Sequence, residues 1–173
     1  ESKVVWDLIL NNAAMSDSVA LFHATHGNLG TGVIAEAGLT LARKSMRLQK
    51  KLDGSTPMNL APKYLIVPAA LEITAQKMLA TIAPNISSSA NPFAGSMELL
   101  VEARLDASSA AVWYASADPA QIDTIEYAYL EGQEGAYMET RNGFDVDGVE
   151  MKVRLDFGAG VIDHRGLYKS TGV

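Results

Sequence analysis

The sequence predicts an α+β fold with a mainly antiparallel sheet and two or three helices, on three observations. Helical periodicity dominates the first half, two-residue alternation dominates the second, and one β–α unit is interleaved at 64–83. No internal repeat interrupts that order.

Val4, Val5, Leu8 and Ile9 recur at helical spacing and predict a short amphipathic helix over 3–11, stopped near Asn11-Asn12. The apolar run Val19-Ala20-Leu21-Phe22 predicts a short strand, and the glycines and Asn28 of HATHGNLGTG (23–32) predict a loop. Ile34, Ala37, Leu41, Ser45, Leu48 and Leu52 follow at steps of three and four. They predict a helix over 33–52 with that stripe inward, ended by a turn at Asp53-Gly54. Tyr64 to Val67 is a compact apolar run with the shape of a buried strand, and Pro68 suits the first turn of a following helix. Leu71, Ala75, Met78, Leu79 and Ile82 mark one face of that helix, with Glu72 in its first turn and Pro84 beyond its end.

Residues 85–96 are small and polar, and beyond them the period changes to two. Met97, Leu99, Val101, Ala103 and Leu105 alternate with other residues, predicting a half-buried strand over 97–105. Further strands are expected at 112–116, 122–130 and 137–141, with a turn at 131–135. Asn142-Gly143 and Asp147-Gly148 are dipeptides favoured in left-handed hairpin turns. Val149, Met151, Val153, Leu155 and Phe157 then alternate without a fault against charged residues, predicting one strand over 149–157 in antiparallel company. Short closing strands are expected at 161–164 and 167–169.

The 173 residues match one ordinary domain, or two small lobes sharing a core. Apolar residues at 48% and charged residues at 20% fit a folded globular chain rather than a disordered one. The absence of cysteine excludes disulfides, thiolate zinc sites and cysteine nucleophiles, and a reducing cytosol suits such a chain. No apolar run of about eighteen residues and no signal-peptide pattern occurs, so neither a membrane span nor secretion is expected. The first residue is Glu1 rather than methionine and the chain enters directly into helical pattern, so the natural protein is expected to extend upstream. The net charge of −6 is the wrong sign for binding nucleic acid over the whole surface, leaving only weak local contact with DNA.

Three motifs invite chemistry. His23 and His26 form an H-x-x-H pair, with Asp17 and Glu36 nearby in sequence, as a metal-dependent enzyme would need. The segment reads as strand end and loop, and no third ligand lies at a diagnostic distance, so local hydrogen bonding of both imidazoles is favoured. Gly30-Thr31-Gly32-Val33-Ile34-Ala35 matches G-x-G-x-x-A ahead of a helix. A buried strand does not run straight into those glycines, which favours a plain glycine loop over a nucleotide turn. Arg43, Lys44, Arg47, Lys50 and Lys51 gather at the later turns of one helix, where they complement its dipole or meet phosphate, a scaffold protein or a neighbour. Nucleophile-elbow, P-loop and H-E-x-x-H signatures are all missing, so no catalytic, cofactor-binding or metal residue is assigned and no enzyme activity is expected. Trp6, Trp113, Tyr127, Tyr129, Tyr137 and Phe144 are read as core, sheet-face or interface aromatics.

Read together, VALFHATHGN (19–28), NPFAGSMELLVEARLD (91–106), WYASADP (113–119), DTIEYAYLEGQEG (123–135) and ETRNGFDVDGVEMKVRLDFGAGVIDHRGLYK (139–169) resemble the Mu-like major head subunit family of tailed phages and prophages. The resemblance implies a capsid fold of the Hong Kong 97 type. It implies an axial lobe over about 29–135 and parts of a peripheral lobe over about 1–28 and 136–173, in a single capsid-like unit. The family's N-terminal arm, extended loop and most of its spine helix have no counterpart in these residues, nor does a residue for crosslinking between subunits. The implied partners are copies of the chain itself in hexameric or pentameric capsomers, with scaffold or prohead protease during assembly in the bacterial cytoplasm. The implied location is the virion capsid. A head-completion or tail protein of the same fold is the alternative the resemblance leaves open.

Overall fold

The structure is a computed structural model and describes residues 1–80, 91–143 and 147–173. Expectations for Ile82, Pro84, residues 85–90 and Phe144 therefore lie outside the described residues. In chain order the elements are α1 (Ser2–Leu10), β1 (Leu29–Gly30), α2 (Glu36–Arg47), β2 (Pro62–Val67), α3 (Glu72–Leu79), β3 (Glu98–Val101), β4 (Trp113–Ala117), β5 (Ile125–Tyr129), β6 (Tyr137–Asn142), β7 (Val149–Arg154), β8 (Phe157–Val161) and β9 (Leu167–Ser170).

Five strands form one mixed sheet in the order β1-β9-β4-β2-β3. β2 and β3 run parallel across α3, the crossover a parallel pair requires, and β1 runs parallel to β9. β4 pairs antiparallel with both β2 and β9. β5 with β8, and β6 with β7, form two antiparallel ribbons nested in sequence, so most pairings among the described residues are antiparallel.

The sheet is covered on both faces, and alternation along its strands splits the core in two. Leu65, Val67, Trp113, Ala115, Ala117 and Tyr168 point to one side, against Leu39, Ala42 and Met46 of α2 and Ala75 of α3. Ile66, Tyr114 and Leu167 point to the other, against Ile9 of α1, Leu21, Phe22 and Leu105, with Ile125 and Val161 of the β5–β8 ribbon packed alongside. The α3 stripe follows the sequence expectation: Leu71, Met78 and Leu79 lie against the first cluster around buried Ala75.

Several expectations are corrected. The segment Val19 to Phe22 forms only an isolated antiparallel bridge, Ala14 with Ala20, and no strand, because from the Leu21 carbonyl onward side-chain amides take the place of a backbone partner. Asn12 accepts from the Phe22 amide at 2.7 Å and donates to its carbonyl at 3.1 Å. Asn28 donates to the Leu21 carbonyl at 2.8 Å and accepts from the His23 amide at 3.1 Å. α2 is shorter than 33–52 and turned about its axis: Gly38, Leu39, Ala42 and Met46 are buried, while Ala37, Leu41 and Leu48 are exposed. Gly38 decides that rotation, since a Cβ there would come within 2.1 Å of the Val33 carbonyl oxygen and only glycine lets the incoming chain fold across the first turn. Leu52 is exposed in a turn where the Asp53 carboxylate accepts from the Ser55 and Thr56 amides.

The strand expected over 97–105 stops at Val101. The Glu102 carboxylate accepts from the Arg104 amide at 3.1 Å and starts a 3-10 turn, Ala103–Leu105, which carries Leu105 into the second cluster. The strand expected over 122–130 begins at Ile125, and the one expected over 161–164 does not form, Val161 being the last residue of β8. The strand expected over 149–157 breaks at Leu155-Asp156, where the partner changes from β6 to β5. Every residue of β6 and β7 is exposed. Asn142 closes β6 as a strand residue, the Gly143 amide donates to the Gly148 carbonyl at 2.9 Å, and Gly148 takes no left-handed conformation.

Trp113 is fully buried and its indole Nε1 donates to the Gly32 carbonyl at 2.8 Å, so it joins the central strand to the loop before α2. Trp113→Ala removes the largest core side chain and is expected to lower the unfolding free energy by about 3–5 kcal/mol, read as a reduced urea midpoint.

Candidate functional site

The glycine loop is used for packing. Gly32 offers its carbonyl to both Trp113 and Ser170 Oγ, the latter at 2.6 Å. A Cβ on Gly30 would overlap the Tyr168 hydroxyl, so the glycines admit close chain approach inside the domain. β1 is only two residues long and already includes Gly30, so a single strand residue, Leu29, leads into the glycines, and Ala35, the last of the motif, precedes α2.

Near it, a groove of about 660 Å³ is lined by Asp17, His26, Gln49, Lys50, His164 and Arg165, with other residues around its rim. His26 is buried at its wall, in a 3-10 turn, Ala24–His26, that ends at left-handed Gly27. Its Nδ1 meets the Leu21 carbonyl at 3.1 Å and its Nε2 meets Asp17 at 2.9 Å. Both nitrogens thus face oxygen acceptors, and a ring carrying both protons donates to each. His164 stacks on His26 with ring centroids 3.9 Å apart and planes 8° from parallel. Burial, and then the nearby His26, push the His164 imidazole below its ordinary value. The His26 contact holds the Asp17 carboxyl below its ordinary range.

Asp163 receives Arg165 Nε on both oxygens at 2.9 Å, while Arg165 Nη1 donates to the Lys50 carbonyl at 3.1 Å. Burial alone would raise the Asp163 carboxyl, but these bonds overcome it and hold it low. Asn28 and Gln49 complete the clasp, donating to the carbonyls of His164 and His26 at 3.4 and 2.8 Å. The groove therefore fastens the N-terminal loop, the end of α2 and the chain entering β9.

Of the sequence candidates, His26 and Asp17 come together, but His23 turns to Thr25 Oγ1 at 3.0 Å and Glu36 lies in the first turn of α2. Among the described residues no group of three or more His, Asp or Glu side chains is arranged to hold a metal ion. His164 was missed by sequence reasoning, since it lies 138 positions from His26 and no local spacing links them. Two of the basic residues are engaged within the domain: Arg43 lies over the Phe93 ring at 4.3 Å, and Arg47 donates to Asn59 at 2.5 Å. Trp113 is core and Trp6 packs against the second cluster, while along the β5–β8 ribbon Tyr127 stacks on Phe157 and Tyr129 meets both rings edge-on. Tyr137 is exposed.

The described residues thus define a mixed α+β domain whose polar groove holds the chain together. A family model described as "Phage capsid protein" matches residues 1–170, nearly the whole chain. The chain belongs to this phage capsid protein family, whose role is structural and whose location is the virion capsid. Comparison with the curated proteins and with the solved structures finds no match. Among the described residues no helix is long and apolar enough to cross a membrane.

Because His164 titrates below its unfolded value, the unfolded chain binds the extra proton first as pH falls. Stability is then full above about pH 6.5 and declines as pH drops through the lowered His164 value. His164→Phe keeps a ring against His26 and is expected to flatten the fall in thermal midpoint between pH 7 and 5. An unchanged slope would show that another group governs it.

Proposed function

We propose that this chain is part of the major head subunit of a Mu-like phage or prophage with a capsid fold of the Hong Kong 97 type. In this reading it packs with copies of itself into capsomers that close around DNA. The observation that carries the proposal is the capsid family match across residues 1–170. The sequence blocks at 19–28, 91–106, 113–119, 123–135 and 139–169 support the finer assignment. The axial lobe would be the five-stranded sheet with α2 and α3, and the peripheral lobe the ends of the chain, with β9 returning from one to the other.

Charge supports the same reading. At −6 the chain does not grip phosphate, which suits a lining that encloses a genome and releases it. Shells are held by many modest contacts that closed symmetry multiplies, so no single large interface is required. Assembly would take place in the host cytoplasm with scaffold or prohead protease as transient partners, and catalysis is no part of the role.

The test is electron microscopy of the full-length protein expressed with its protease and scaffold. Closed shells containing this segment are expected. Soluble monomers or small rings under those conditions would overturn the shell assignment and favour a head-completion or tail role.

A further inference from the structure

The β6–β7 ribbon is amphipathic, and the rest of the described chain covers neither of its faces. Its register sorts the side chains, because directly opposed residues share a face. Met138 opposes Val153, Thr140 opposes Met151 and Asn142 opposes Val149, so one face carries four apolar side chains and no charge. These are 72%, 64%, 75% and 64% exposed for Met138, Val153, Met151 and Val149. On the other face Glu139 pairs with Lys152 at 3.3 Å, Arg141 pairs with Glu150 at 2.5 Å, and Arg154 lies over the Tyr137 ring at 5.8 Å. Four of the ribbon's charges therefore pair with one another, Arg154 pairs with Asp156 just beyond β7 at 3.1 Å, and the ribbon's charges all lie on the face opposite the apolar one.

We infer that the apolar face of β6–β7 docks on a second copy of this chain, an inference that rests on the shell reading above. Two arguments select that occupant. The first is charge: copies at −6 each repel at long range, and a face without charge is where two of them approach at least cost. A nucleic acid would need free cations, and this face has none while those behind it are paired. The second is size. Six residues rising about 3.3 Å each, across two strands about 4.8 Å apart, give a face of roughly 200 Å². A stable two-body interface needs about 800 Å² per partner, so this patch cannot hold a lone partner. It suits a contact repeated around a closed assembly, where many weak copies act together. A two-stranded ribbon is also marginal alone in water, and docking supplies the missing cover.

The test uses shells of the full-length protein. These 173 residues contain no cysteine, so Met151→Cys and Lys152→Cys each place one thiol here, on opposite faces of the same strand. Maleimide labelling of Met151→Cys is expected to slow by about tenfold or more on passing from free subunit to shell, with Lys152→Cys slowing less. Met151→Glu is expected to raise the protein concentration needed for shells by about tenfold or more, with the thermal midpoint of the free subunit unchanged. If the parent protein forms shells but Met151→Glu assembles equally well and the thiol at 151 stays open, the inference falls and the shell reading stands. Protection at 151 that needs a second viral protein overturns it too, by assigning the face to another occupant. A parent that forms no shells removes both.

Discussion

Strand β4 is closed to water on both of its faces, and the rest of the domain is arranged to keep it so. Trp113, Ala115 and Ala117 require cover on one side of the sheet, Tyr114 on the other, so helices α2 and α3 take one face while α1 and the loop after it take the second. A strand buried on both faces gains apolar burial twice, but its neighbours must be packed without gaps. The Gly32 carbonyl meets that demand by accepting both the Trp113 indole and the Ser170 hydroxyl, which ties the loop before α2 to two adjacent strands. The histidine groove does the same for the opposite ends of the chain, joining Asp17 and His26 to His164.

The β6–β7 ribbon obeys a different rule. Its side chains alternate as cleanly as any in the sheet, yet nothing among the described residues lies over them. In a protein that worked alone, four exposed apolar side chains on one face would be a liability for aggregation. In a member of a capsid family the same feature is what a subunit needs, because an assembly supplies the cover that one chain lacks. On the inference drawn above, the described residues divide into a packed core and an outlying ribbon that neighbouring copies would complete.

Much of this was legible in the sequence. The run Tyr64 to Val67, the stripe Leu71-Ala75-Met78-Leu79 and the alternation from Val149 to Arg154 each led to the right element, because local period is a property of the residues themselves. What was not legible depended on distant chain. The apolar run at Val19–Phe22 stops at a single bridge to Ala14, and Asn12 and Asn28 take over its backbone from the Leu21 carbonyl onward, which requires knowing where each amide points. Periodicity suggested one inward stripe on α2, but Leu39, Ala42 and Met46 are the buried face, and the close approach of the chain at Gly38 is invisible in periodicity. Alternation over 149–157 specified two faces but could not say whether either would be covered. The pairing of His26 with Asp17 was within reach of the sequence, whereas the stacking of His164 was set by the return of the chain into β9.

Amide hydrogen exchange, compared between free subunit and assembled shell, tests most directly the claim that the core stands alone and the ribbon does not. Amides of Trp113–Ala117 are expected to be protected in both states, while those of Tyr137–Asn142 and Val149–Arg154 exchange quickly in the free subunit and slow on assembly. Equal protection of the ribbon in both states would contradict the account.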